Sequence, residues 1–259
     1  MNIRQYYRLS AMMSLNASLV SLLPIILFLI GIIQFPSKMW LVIASIPFIV
    51  YSFICFQNYQ RQSRRYEEID EIQEAEKKLT IFNQSQILLS FLPAPSIRMV
   101  LFEPNGRMVG EVKDMNFKSF RWFLPYFVDK LIPKKYGLYN ENQQLLAVLY
   151  VNKREINLLN PIGQAIGSII QTEKKGKKET WCFKEKIWMI SKEPFYTDIR
   201  IRYEDLELAL LKKGWMPIEW ERYFKDANTP VLTIQQGLTD EERLILFGLV
   251  AKYFCYREH

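Results

Sequence analysis

The 259-residue chain contains one histidine, the terminal His259, and three cysteines, Cys55, Cys182 and Cys255. That supply is too small for a Cys/His zinc cluster, and it leaves no histidine to activate a nucleophile inside the fold. The Gly-x-Ser-x-Gly elbow, the phosphate-binding loop and the dinucleotide fingerprint are also missing. The expectation is a protein that is not an enzyme and has no catalytic residues, metal or cofactor. Acidic residues are missing locally: residues 1–65 contain no Asp or Glu but include Arg4, Arg8, Lys38, Arg61, Arg64 and Arg65. This segment therefore carries +6 of the formal +7, and the remainder, with 28 basic and 27 acidic residues, is nearly neutral. A global basic charge would point to nucleic acid. A charge confined to one apolar segment excludes that partner and points to a membrane.

Between Arg8 and Lys38 lie 29 uncharged residues, and between Lys38 and Arg61 another 22. About 20 apolar residues cross a hydrocarbon core, so two spans are expected, at about 15–34 and 39–57. Pro36 suits the tight turn between them, and Trp40, Tyr51 and Tyr59 suit an aromatic belt. The outer flanks hold five arginines and the turn holds Lys38 alone, which places both termini in the cytoplasm of a multi-pass cell-membrane protein. A cleaved signal peptide is the competing reading of the first span, but no small-x-small site follows Ile33. Pro24 and Pro47 interrupt the spans at similar depth, a pattern found at transport sites, yet no ionisable side chain accompanies them. Kinked anchors are the expected outcome.

Residues 66–95 form an acidic stretch of net charge −4, free of Gly, and are read as a helical stalk and linker closed by Pro93 and Pro95. From 96 onward, carrying +5, the periodicity is that of strands. The segments 102–112 and 159–169 share Pro-x-Gly-x-x-Val/Ile-Gly-x-Val/Ile, and 139–149 is a degenerate third copy with Gln143 at the turn glycine. Proline presets a turn corner and glycine takes the positive φ that closes it, so each copy predicts a hairpin with a bulge. Gly110, Ala147 and Gly167 occupy equivalent mid-strand places, where small residues mark a bulge or a close backbone approach. Thr239 and Glu242 have capping-box spacing ahead of Leu244–Ala251, a run apolar on every side, which predicts a helix over about 240–256 surrounded by protein. A third membrane helix is the alternative.

Repeated hairpins followed by one wholly apolar C-terminal helix resemble the tubby C-terminal-like superfamily, which includes LURP-one-related proteins and phospholipid scramblases. The resemblance covers about 97–256. It rests on Pro104-Asn105-Gly106, Asn160-Pro161-Ile162-Gly163 and the segment Asn228-Thr229-Pro230-Val231-Leu232 that leads into the helix. It implies a mainly-β domain at 96–259, a closed antiparallel barrel threaded by the C-terminal helix, behind the transmembrane hairpin at 1–65. Gly110, Ala147 and Gly167 would then face that helix. The cysteine-rich and acidic calcium-binding segments of the scramblase-like members have no counterpart, since Cys182 stands alone among the barrel strands.

The segment 117–135 interleaves six aromatics with Lys118, Arg121, Lys130, Lys134 and Lys135. Rings for the headgroup boundary and cations for anionic lipid make Lys118, Arg121, Trp122, Lys130, Lys134 and Lys135 the candidate lipid contacts, against the alternative that the rings seal a barrel end. The lysine-rich run 173–179 reads as a hairpin tip in water around Gly176, Trp215 and Trp220 as a packed corner, and 204–213 as a helix with an acidic exposed face. Together these features predict a membrane-anchored binding or regulatory module that meets a membrane lipid or a membrane protein. A lipid-translocating or small transport component acting as an oligomer is the alternative, with a hydrolase using Cys182 a distant third. The sequence leaves the oligomeric state open.

Overall fold

A computed structural model of the chain describes residues 1–34, 39–70, 80–94, 96–116, 134–193, 198–214 and 216–257. It divides into two compact units, one of residues 3–72 and one of 73–259 together with the first two residues. The turn residue Lys38 and residues 71–79 of the expected stalk lie outside the described residues.

The first unit is helical: α1 (Ile3–Val20), α2 (Leu22–Gln34) and α3 (Met39–Glu67). Two stretches are long and apolar enough to cross a membrane, Ile3–Ile33 and Met39–Glu67, with mean hydropathies of 2.4 and 2.2. The first helix starts well before the expected span. Pro24 has no N–H for the carbonyl of Val20, and the helix breaks at Ser21 between α1 and α2. Pro47, by contrast, is accommodated within an unbroken α3. Ser18 and Ser52 clasp α1 to α3: each hydroxyl donates to the other's carbonyl oxygen at 3.0 and 3.1 Å, and their Oγ atoms stand 3.0 Å apart. The Arg4 guanidinium lies over the Tyr66 ring at 4.7 Å and that of Arg65 over Tyr7 at 5.9 Å, which brings the two basic flanks to one end of the hairpin.

The second unit is a closed antiparallel barrel. Its strands are β1 (Gln86–Phe91), β2 (Arg98–Phe102), β3 (Met108–Asp114), β4 (Lys134–Asn140), β5 (Leu145–Val151) and β6 (Glu155–Leu159). They continue with β7 (Ala165–Lys175), β8 (Lys178–Phe183), β9 (Lys186–Lys192), β10 (Ile199–Tyr203), β11 (Leu206–Lys212) and β12 (Val231–Ile234). Each strand pairs with its neighbour in sequence, and β1 pairs with β12 to close the ring. β1 falls inside the stretch expected to be stalk and linker, so the barrel takes in more of the chain than 96–259. Its Ile87, Leu88 and Leu89 are buried, which a tethering linker would not require.

The lumen is filled by α4 (Asp240–Arg257). Leu244, Ile245, Leu246, Phe247, Leu249, Val250 and Ala251 are all buried in one core with wall residues such as Leu149, Ile156, Trp181 and Trp188. Burying each such side chain favours folding by about 1.5–3 kcal/mol. The all-round apolar run is thus a core helix and not a third span. Its start is the expected capping box: Thr239 N–H donates to Glu242 Oε2 at 2.9 Å, and Glu242 N–H donates to Thr239 Oγ1 at 3.3 Å. Tyr136 Oη stands 2.9 Å from Cys255 Sγ and ties the far end of α4 to the wall.

The three repeat turns share one geometry. Gly106 (φ 80°), Gln143 (φ 61°) and Gly163 (φ 92°) all take the left-handed conformation, and bulges follow opposite Leu101/Phe102, Leu138/Tyr139 and Leu158/Leu159. Gly110, Ala147 and Gly167 then pair with Leu101, Leu138 and Leu158. Ala147 lies in the core that also holds the helix, whereas the nearest neighbours of the two glycines belong to other elements. A Cβ at Gly110 would meet the Tyr139 carbonyl oxygen at 2.7 Å and Ile81 at 3.0 Å, and one at Gly167 would meet the Phe183 ring at 3.2 Å. These glycines admit neighbouring strand and wall atoms, while the close approach of helix and wall is made by Gly248, where a Cβ would stand 3.0 Å from Ile156 Cγ2. The expected helix 204–213 is instead a hairpin turn, with Glu204 at φ 52°, followed by β11. A bulge between Ile201 and Arg202 leaves Leu208 unpaired and sets Ala209 opposite Ile201, so this is a fourth copy of the same device. The extra residue puts Leu208, Ala209 and Leu211 together in the core, a spacing that imitates a helix face.

Candidate binding site at the barrel mouth

The barrel's two ends differ in chemistry. The four bulged turns gather at one end, where Lys184 pairs with Glu241 and Lys186 with Glu242 at the start of α4. Arg243, itself buried, donates from its guanidinium to the Gln84 and Gln235 carbonyl oxygens at 2.8 and 3.4 Å. That end is sealed.

At the other end, where β3 ends, β4 begins and α4 finishes, a cavity of about 460 Å³ opens between the wall and the helix. Its floor is apolar, made of the buried Ile190, Ile199, Ile201, Leu211 and Leu249. Its rim is mostly cationic, with Lys153, Arg154, Lys174, Lys192 and Lys252 against Glu173 and Glu179. The β7–β8 hairpin, turned at Gly176 (φ 58°), supplies one side, so the lysine-rich run is more than a solvated tip. The buried Glu179 carboxylate accepts from Lys192 Nζ at 2.9 Å, from Trp181 Nε1 at 3.3 Å, and pairs with Lys174 at 3.4 Å. Burial pushes that carboxyl up, but the Lys192, Trp181 and Lys252 groups outweigh it and hold Glu179 below the ordinary range.

Lys252 comes from α4 and lays its ammonium over the Trp181 ring at 4.0 Å. Burial pulls it down to about 8; Glu179 opposes the shift, and Lys192 and Lys174 add to it. Among the described residues no carboxylate reaches Lys252 within ion-pair distance. Gln171 Nε2, in the wall of the same cavity, is a buried donor without a hydrogen-bond partner. The arrangement offers cations and an amide donor above an apolar floor.

Of the candidate lipid contacts, Lys118, Arg121, Trp122 and Lys130 lie outside the described residues, as does Trp215. Lys134 is buried within β4, so it is no surface contact, and Lys135 lies over the Tyr150 ring at 5.2 Å. Trp220 is half-buried in a short 3₁₀ turn, Ile218–Trp220, and the following Phe224 packs on Phe102 with ring centroids 6.0 Å apart. Cys182 is half-buried and donates from Sγ to the Lys184 carbonyl oxygen at 3.1 Å. Trp181, Lys252, Glu179, Lys192 and Gln171 went unrecognised in the sequence. The signal for Lys252 was present, a single cation in the otherwise uncharged stretch 244–256 of the core helix.

Comparison with known proteins gives little more. No known family matches the chain, and no curated protein does. A crystal structure of a protein from Arabidopsis thaliana is similar over 65% of this chain and 90% of its own length, at 9% identity and a TM-score of 0.41.

Proposed function

We propose that this chain is a membrane-anchored, non-enzymatic binding module of tubby-like architecture. Two helices tether the barrel, both termini face the cytoplasm, and the barrel mouth meets a lipid or a membrane-protein partner. The observation that carries this reading is the pairing of two membrane-competent helices with a barrel whose lumen is filled by its own helix and whose described cavity is cationic above an apolar floor. The basic and aromatic sequence of 117–135, which lies between β3 and β4 in the chain, supports a lipid-facing surface.

Reconstitution into liposomes tests the reading. The full chain is expected to resist alkaline extraction, to leave lipid distribution between leaflets unchanged, and to have the mass of a small, fixed assembly in detergent. Lipid flip that tracks with a larger oligomer would replace the binding module with a lipid-moving component.

A further inference from the structure

We propose that the open mouth of the barrel binds an anionic amphiphile, an acyl chain bearing one carboxylate or phosphate, with the charged head held by Lys252 and the chain laid on Ile199, Ile201 and Leu211. The proposal rests on the binding-module reading and names its ligand.

Three features of the cavity carry it. The first is the division of the lining: the floor belongs to the hydrophobic core, while the rim is built of long cationic side chains. A ligand that satisfies both must itself be apolar at one end and charged at the other. The second is the charge balance. Among the described lining residues five cations, Lys153, Arg154, Lys174, Lys192 and Lys252, meet two carboxylates; Glu179 is already engaged by Lys192 and Lys174, and Glu173 pairs with Lys175 at 2.6 Å. The third is the donor inventory. Lys252, stacked on Trp181 without a carboxylate partner among the described residues, and Gln171 Nε2, a buried donor without an acceptor, both have donor capacity for an incoming acceptor. The cavity volume of about 460 Å³ falls within the range of small-molecule sites, roughly 300–1,000 Å³. Trp181 is buried beneath Lys252, so no open ring face is offered to a nucleobase.

Native mass spectrometry of the full chain in an uncharged maltoside detergent tests this with dodecanoate, dodecyl phosphate, dodecanol and inorganic phosphate as probes. One adduct per chain is expected with dodecanoate or dodecyl phosphate, and the stronger of the two identifies the head group. Dodecanol and inorganic phosphate are expected to bind at least about tenfold more weakly, since each lacks one half of the recognition. Lys252→Met should raise the half-saturating concentration about tenfold, a factor typical of one lost charged contact, and Lys252→Arg should restore most of it. Because Lys153 and Arg154 are exposed on the rim, Lys153→Ala with Arg154→Ala gives a second variant that leaves the core intact and should weaken binding by a smaller factor. Equal binding of dodecanol, equal binding of inorganic phosphate, absence of any adduct, or indifference to both variants would overturn the proposal. Failure here, with the chain still resisting extraction from membranes, removes the ligand and leaves the tethered module; loss of membrane retention removes the module itself.

Discussion

At the scale of single residues, the chain shows where local pattern and tertiary environment part company. Lys252 directly follows a run that reads as apolar on every side, and its environment becomes visible only when β8 and β9 bring Glu179, Trp181 and Lys192 around it. Lysine with a depressed folded pKa is penalised wherever it is charged in both states, fully so below about pH 8, and the penalty fades as pH rises from about 8 toward 10.5. Stability should therefore rise across that window by about 1 kcal/mol more in the wild type than in Lys252→Met, a figure reduced because solvent reaches the ammonium. The other groups facing Lys252 are Lys153, Arg154, Glu173, Lys174 and Tyr253, unchanged in both proteins, so the difference between their thermal melts against pH isolates it. Glu204 is the opposite case, an exposed residue held at φ 52° with no glycine to announce its turn. Glu204→Gly should stabilise the barrel by up to about 1 kcal/mol in denaturant titration. Gly248 admits Ile156, so Gly248→Leu should cost about 3 kcal/mol, and Ile156→Ala should recover part of that loss in a double-mutant cycle.

At the scale of elements, hairpins were legible wherever their turns carried chemistry. Pro104-Asn105-Gly106 and Asn160-Pro161-Ile162-Gly163 name their conformation outright, and Gln143 takes the same left-handed conformation, with its side chain hydrogen-bonded to Glu111 and Lys113 at 3.2 and 2.8 Å. The fourth hairpin escaped because its turn is one residue shorter, lacks glycine, and its bulge at Leu208 replaces alternation with a helix-like spacing. The membrane helices were legible from charge-free length, but the Ser18 to Ser52 clasp was not, since serine near a span end has many uses. Ser18→Ala should weaken packing of α1 on α3 by about 0.6 kcal/mol, and Ser18→Ala with Ser52→Ala by little more, because both remove the same clasp. Steric-trap unfolding in a bilayer would measure both.

At the scale of the whole molecule, closure was the part that sequence could imply only through resemblance. Pairing of Leu88 with Val231 joins the two ends of the barrel through residues far apart in the chain, and nothing in residues 86–91 distinguishes a closing strand from a linker. The central helix was legible because a run apolar on every side must be surrounded, and removal of 240–259 should leave a barrel without a core that fails to fold. The mouth was illegible because its residues come from the β5–β6 turn, β7, β8, β9, β10, β11 and α4, assembled only by closure. On the proposed function, this mouth is where the tethered domain meets its membrane partner. A photocrosslinker placed at Lys153 in the full chain in native membranes tests it most directly, with exposed Ile162 at the sealed end as the control. Lipid or membrane-protein adducts from position 153 and none from 162 are predicted; adducts of equal yield from both positions, or only with soluble proteins, would contradict the account.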